Sequence, residues 1–205
     1  CYPELLATFC VGSIDSLYQD MQQKQEKESA TCFVEKFPDA THGVFAELYE
    51  EYKSIILIRD FRSTYCSITS FNKKRNQQDF NRDKFESEEK YFMHLGKVVT
   101  KLVELADAKE NSRKCYFLKY EDLVQRPKES LAFLFRWLCV GSEKQTIERI
   151  MSTPMPGKKK FKFHMTSQSQ GQSLERWRTD LPVGFNEYAT DQYKNFFERF
   201  GYPLT

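Results

Sequence analysis

Apolar residues recur along this chain in two rhythms. From Pro3 to Gln22 they fall at Leu5, Leu6, Phe9, Cys10, Ile14, Leu17, Tyr18 and Met21, the three-and-four spacing of a helix with one apolar stripe. The same spacing predicts helices over Val44–Tyr52 and over Glu86–Ala108, where Tyr91, Phe92, Leu95, Val98, Val99, Leu102 and Leu105 share a side. Pro127 suits a helix start, with Leu131, Leu134, Phe135 and Leu138 as its stripe. Ile147–Met151 closes a short helix, and a terminal helix over Thr190–Phe200 is stopped by Gly201 and Pro203. Shorter apolar runs at Thr31–Val34, Ile55–Ile58 and Lys114–Lys119 predict strands. The four consecutive aliphatics Ile55 to Ile58 suit a strand buried on both faces.

Strands alternating with helices predict an α/β fold, a parallel β-sheet flanked by helices, in a single domain over residues 1–205. Two stretches fit neither rhythm. Asn72–Phe85, NKKRNQQDFNRDKF, reads as a polar loop too charged to pack, and Ser152–Gln172 reads as irregular.

Composition narrows the field without choosing a function. With 40% hydrophobic and 29% charged residues the chain is of ordinary globular type, and a net charge of +2 gives no whole-surface attraction to nucleic acid or to a membrane. No apolar run reaches the roughly 20 residues that a membrane-spanning helix needs. The six cysteines are widely spaced with no CxxC, so they read as small buried hydrophobes rather than a metal site or disulfide framework. A reducing, cytoplasmic setting fits that usage.

One junction stands out chemically. The Ile55–Ile58 strand ends in Arg59-Asp60 and is followed by a Ser/Thr-rich helical pattern containing Tyr65, Ile68 and Thr69. An open strand end, the free N–H groups of a first helical turn and the helix dipole converge there, which makes a place to hold an anion. Arg59 and Ser67, eight residues apart, would grip one phosphate by a forked guanidinium and a hydroxyl. The plainer reading is a surface arginine beside a helix cap with a packed serine.

The segment IRDFRSTYCSITSFNKKR resembles the 3′-phosphate-binding motif of sulfotransferases, which opens Arg-Asp-Pro and carries a serine eight residues after the arginine. Phe61 stands where that motif has proline. CYFLKYEDL resembles the strand and turn whose tyrosine, here Tyr120, lies near the nucleotide's adenosine part. SLERWRTDL resembles the C-terminal segment that closes over the cofactor, with Arg176 and Trp177 at the matching positions. The resemblance runs from about Thr31 to Leu181 and implies a fold like that of P-loop kinases. It also implies 3′-phosphoadenosine 5′-phosphosulfate (PAPS) as donor, adenosine 3′,5′-bisphosphate as product, and no metal. The family's glycine-, serine- and threonine-rich phosphosulfate loop does not occur in residues 1–205. The expectation is that it lies, with the first strand, before Cys1, this chain being the larger C-terminal part of the domain.

In CFVEKFP the same resemblance offers a catalytic pair. Glu35 would take the acceptor's proton and Lys36 would neutralise the bridging oxygen of the donor. Adjacent strand residues point to opposite faces, so the two roles stand separately. His42 is the second candidate base, whereas His94, inside an apolar helix face, reads as a core histidine. His164, in the irregular C-terminal section, could line the pocket, and Lys158, Lys159, Lys160 and Lys162 read as a solvated loop or a basic cover over an anionic nucleotide. The acceptor would be a hydroxyl or amine on a small or carrier-tethered molecule. A noncatalytic nucleotide- or partner-binding module on the same fold is the alternative. A P-loop phosphotransferase is a third reading, which would need a Walker-type loop upstream.

Overall fold

The strand expected at Ile55–Ile58 forms as β1, Ser54–Ile58, and pairs in parallel with β2, Cys115–Lys119, in a register running from Ser54 opposite Cys115 to Ile58 opposite Lys119. The computed structural model describes residues 2–36, 42–110, 112–153 and 170–205, the side chains of His42, Gly43 and Gln170 excepted. The chain divides into two units, Cys1–Lys53 and Ser54–Thr205.

The first unit holds α1, Tyr2–Lys24, and α2, His42–Leu48. The apolar stripe of α1 forms as predicted, yet no residue of the helix is buried. The Tyr49 hydroxyl donates to Asp15 of α1 at 3.0 Å. Thr31–Val34 is not a strand: residues 31–36 are irregular and exposed. A strand needs a neighbour to take its backbone N–H and C=O groups, and among the described residues none pairs with this segment. Phe33 of this segment stacks on Tyr18, with centroids 4.2 Å apart.

The second unit is a mostly helical α/β arrangement around the two-stranded parallel sheet. After β1 comes α3, Phe61–Arg75, then α4, Glu88–Ala108. β2 runs straight into α5, Tyr120–Gln125, followed by α6, Pro127–Leu138, and α7, Lys144–Ser152. The chain ends with α8, Gln170–Glu175; α9, Trp177–Asp180; α10, Phe185–Gln192; and α11, Lys194–Phe200. The β1 strand is buried on one side only. Ile58 is in the core, but Ile55 and Leu57, which alternate to the opposite face, are 41% and 56% exposed.

The core gathers Ile58, Phe61, Tyr65, Phe92, Trp177, Phe196 and Phe197, with others, from β1, α3, α4 and α9–α11. Phe61, where the resemblance expected proline, sits at its centre. Its ring lies 5.2 Å from Phe92, 5.4 Å from Tyr193 and 5.7 Å from Phe197. The single terminal helix expected over Thr190–Phe200 is instead two helices meeting at Tyr193. The Tyr193 ring lies against Gly96 of α4 so closely that a Cβ there would fall 2.2 Å from it.

Three further expectations change. The Asn72–Phe85 loop does pack: buried Asn72 donates to the Asp79 carbonyl and accepts from the Asp79 N–H, at 3.2 and 3.1 Å. Arg82 in the same loop ties to Glu88 and to the Phe85 carbonyl at 2.7 Å each. His94 is exposed, with its ring 4.7 Å from Phe85, because α4 turns its buried face elsewhere, through Tyr91, Phe92, Val99 and Ala106. Among the described cysteines only Cys66 and Cys115 are buried, while Cys32 and Cys139 are exposed, since they fall on an irregular segment and a helix C-cap.

Candidate functional site

The β1–α3 junction is built by its own sequence. Asp60 caps α3, its Oδ1 accepting the Arg62 N–H at 2.9 Å, and its carbonyl accepts the Thr64 N–H at 2.9 Å. From Asp60 the 15-residue helix runs with its N-terminal N–H groups and the positive end of its dipole at the strand end. Ser63, Ser67 and Ser70, at spacings of four and three, line one face of it.

The C-terminal segment lies along that serine face. The Ser63 hydroxyl donates to the Leu174 carbonyl at 2.9 Å, and Arg59 Nη2 donates to the Ser173 carbonyl at 3.0 Å. Arg176 Nη2 donates to Ser70 Oγ at 2.8 Å, and its Nε donates to Asp180 Oδ2 at 2.9 Å. Arg59 also lies over the Tyr120 ring, its Cζ 4.6 Å from the centroid, a cation–π contact that orients the guanidinium. The junction therefore sets Arg59 over Tyr120 and ties Arg176 to the face of α3 that also carries Ser67.

Two nitrogens at this corner are buried without a hydrogen-bond partner among the described residues: Arg59 Nε and Arg176 Nη1. Buried donors on charged groups are costly to leave unpaired, so a pair of them marks a place built for an acceptor. Burial pushes the nearby Cys66 thiol up to about 12, with Asp180 and Asp60 adding and Arg176 and Arg59 opposing. The thiol is thus protonated and unreactive at neutral pH, and both guanidiniums lie within electrostatic reach of it. The Arg176 hydrogen bond holds the Asp180 carboxyl below the usual range, partly opposed by burial.

The remaining residues singled out from sequence have different surroundings. Trp177 is buried in the core, its ring beneath the Arg62 guanidinium at 3.6 Å and near that of Arg178 at 4.4 Å. Glu35 and Lys36 belong to the first unit and lie in its irregular, exposed segment 31–36, so strand alternation places no constraint on them. The Tyr18 phenol faces Glu35; burial and then that carboxylate raise the phenol's pKa. His42 opens α2, with its side chain outside the described residues. His164 and the lysine cluster Lys158–Lys162 also lie outside them.

Ser70, Ser63, Ser173 and Asp180 escaped the sequence reading, although the serine spacing and the Arg176–Asp180 step of four were both visible in it. A cleft of about 430 Å³ opens further along, where Thr69, Asn72 and Lys73 of α3 meet Arg82, Glu88 and Tyr91. It is a poorer anion site than the β1–α3 corner despite its size. Arg82 there is already paired: burial would raise the Glu88 carboxyl, but hydrogen bonds from Arg82 and Tyr65 hold it below its usual range.

A strand-to-helix junction with two arginines that keep buried donors unmet among the described residues has the chemistry to hold an oxyanion. The family model described as "Sulfotransferase domain" matches residues 10–201, and the chain belongs to the sulfotransferase family. No curated protein and no solved structure matches it. Among the described residues no helix is long and apolar enough to cross a membrane.

Proposed function

We propose that this chain binds PAPS and transfers its sulfuryl group to a hydroxyl or amine of a small or carrier-tethered acceptor. The observation that carries the reading is the pair of buried arginine nitrogens without a partner among the described residues, Arg59 Nε at the strand end before α3 and Arg176 Nη1 on the serine face of that helix. Arg59 and Ser67 would hold the nucleotide's 3′-phosphate, with Arg176 beside them. Tyr120, already stacked on Arg59, would border the adenosine, and Trp177 would brace the segment that carries Arg176. Family membership supports this donor, since sulfotransferases generally draw on PAPS.

The donor supplies an activated sulfuryl group whose departure leaves adenosine 3′,5′-bisphosphate. An in-line displacement forms the bond from acceptor oxygen or nitrogen to sulfur as the bond from sulfur to the bridging phosphate oxygen breaks. Glu35 would take the acceptor's proton, with His42 as the second candidate base, and Lys36 would neutralise the charge left on the bridging oxygen. A reducing, cytoplasmic compartment belongs to the same proposal, on the strength of six widely spaced cysteines with no CxxC.

Thermal stabilisation by adenosine 3′,5′-bisphosphate against adenosine 5′-monophosphate tests the donor assignment, and equal shifts from both would sink it. Glu35→Gln should bind the bisphosphate like wild type and lose sulfuryl transfer; a variant with full turnover removes Glu35 as the base.

A further inference from the structure

We infer that Ser70 and Asp180 are positioning residues that set the Arg176 guanidinium for the nucleotide's 3′-phosphate, an inference that rests on the donor reading above. Arg176 is only 7% exposed, and its three nitrogens are treated unequally. Asp180 Oδ2 takes Nε at 2.9 Å and Ser70 Oγ takes Nη2 at 2.8 Å, which leaves Nη1 buried with no partner among the described residues.

The two holders come from different elements, Ser70 from α3 and Asp180 from the end of α9. Two points of attachment fix the plane of the guanidinium, so the third nitrogen is offered in one direction. Asp180 is itself steadied, its Oδ1 accepting the Thr179 hydroxyl at 2.9 Å. Its carboxyl is kept ionised well into the acid range by Arg176, so the clamp persists at neutral pH. Ser70 lies on the same helical face as Ser67, one turn further along, which places this clamp beside the proposed phosphate ligands.

A purely structural arginine looks different in this same fold. Each Arg62 nitrogen has a partner, whereas Arg176 keeps one buried donor unmet. Fixing a charged donor before the ligand arrives lowers the ordering cost of binding, which is what a positioning shell contributes.

The test is a calorimetric titration of the whole chain with adenosine 3′,5′-bisphosphate and, separately, adenosine 5′-monophosphate, for wild type, Ser70→Ala, Ser70→Thr and Asp180→Asn. Each of Ser70→Ala and Asp180→Asn should weaken the bisphosphate by roughly tenfold and leave the monophosphate unchanged, while Ser70→Thr keeps wild-type affinity. Variants that bind the bisphosphate like a discriminating wild type overturn the positioning role and leave the donor reading standing. Parallel loss of both nucleotides with a lowered melting temperature assigns the clamp to folding, and likewise overturns it. A wild type that does not distinguish the two nucleotides overturns the donor reading and this inference together. Should Asp180→Asn not fold, Ser70→Ala decides the question.

Discussion

Arg59 and Arg62 stand three residues apart on the same strand-to-helix turn, and the fold uses them in opposite ways. Arg62 is 0% exposed and bound to Asp60 at 2.6 Å, to Asn186 at 2.7 Å and to the Pro203 carbonyl at 2.7 Å. Its plane is covered by Trp177 at 3.6 Å and Phe197 at 4.3 Å. Arg59 is half-buried, shares one bond with the Ser173 carbonyl, and keeps Nε without a partner among the described residues. A fully satisfied arginine holds the chain's C-terminal end to the turn, while a partly satisfied one remains able to take a ligand. Residue type says nothing about which is which; the count of met donors does.

That contrast can be broken from either side, and the largest effect should come from Arg62. Arg62→Met leaves the Asp60 carboxylate buried and unpaired, and should cost about 3–5 kcal/mol in urea unfolding. A loss within about 1 kcal/mol would mean that the Asp60–Arg62 pair does not hold the fold. Next comes the contact that shapes the terminal helices: Gly96→Ala drives a methyl into the Tyr193 ring and should cost about 1–3 kcal/mol, read as a lowered melting temperature. Wild-type melting would show that Tyr193 moves aside freely.

A smaller effect should come from the tyrosines around the junction. The Tyr202 hydroxyl donates to Glu121 at 2.9 Å, and Glu121 in turn accepts the Asp60 N–H at 3.1 Å, so Tyr202 supports the turn from behind. Tyr202→Phe should lose roughly 1 kcal/mol at neutral pH. Burial, then the neighbouring carboxylates, raise the Tyr202 pKa, and burial and the Glu88 hydrogen bond raise that of Tyr65. Folded values above the unfolded one mean that this stability is complete below about pH 10 and is lost as pH rises beyond it. Melting temperature should hold level from about pH 7 to 9 and fall above about 10, less steeply in Tyr202→Phe. A curve indifferent to that substitution would remove Tyr202 from the effect. The smallest expected change in stability is for Arg59→Ala, below about 1 kcal/mol, because Arg59 makes few of the contacts that Arg62 makes.

Much of the β1–α3 turn is legible in the sequence. IILI followed by Arg-Asp and a serine-bearing helix specifies its own strand end, cap and helix face through local chemistry. The roles of Arg62 and Phe61 were not legible. The Arg62 partners lie as far as 142 residues along the chain, and no local spacing announces a guanidinium buried against Trp177 and the Pro203 carbonyl. Thr31–Val34 misled in the opposite sense: β-favouring side chains predict a strand only where a neighbour can complete its hydrogen bonds. The both-face burial expected of Ile55–Ile58 failed for a related reason, since Ile55 and Leu57 are covered only if further structure lies over them.

The most direct test is a calorimetric titration of Arg59→Ala with adenosine 3′,5′-bisphosphate, beside wild type and with melting temperature as the control for folding. The β1–α3 corner, as the seat of the 3′-phosphate, predicts a variant that melts close to wild type and has lost most of its affinity for the bisphosphate. A folded Arg59→Ala that binds the bisphosphate as tightly as wild type would contradict it.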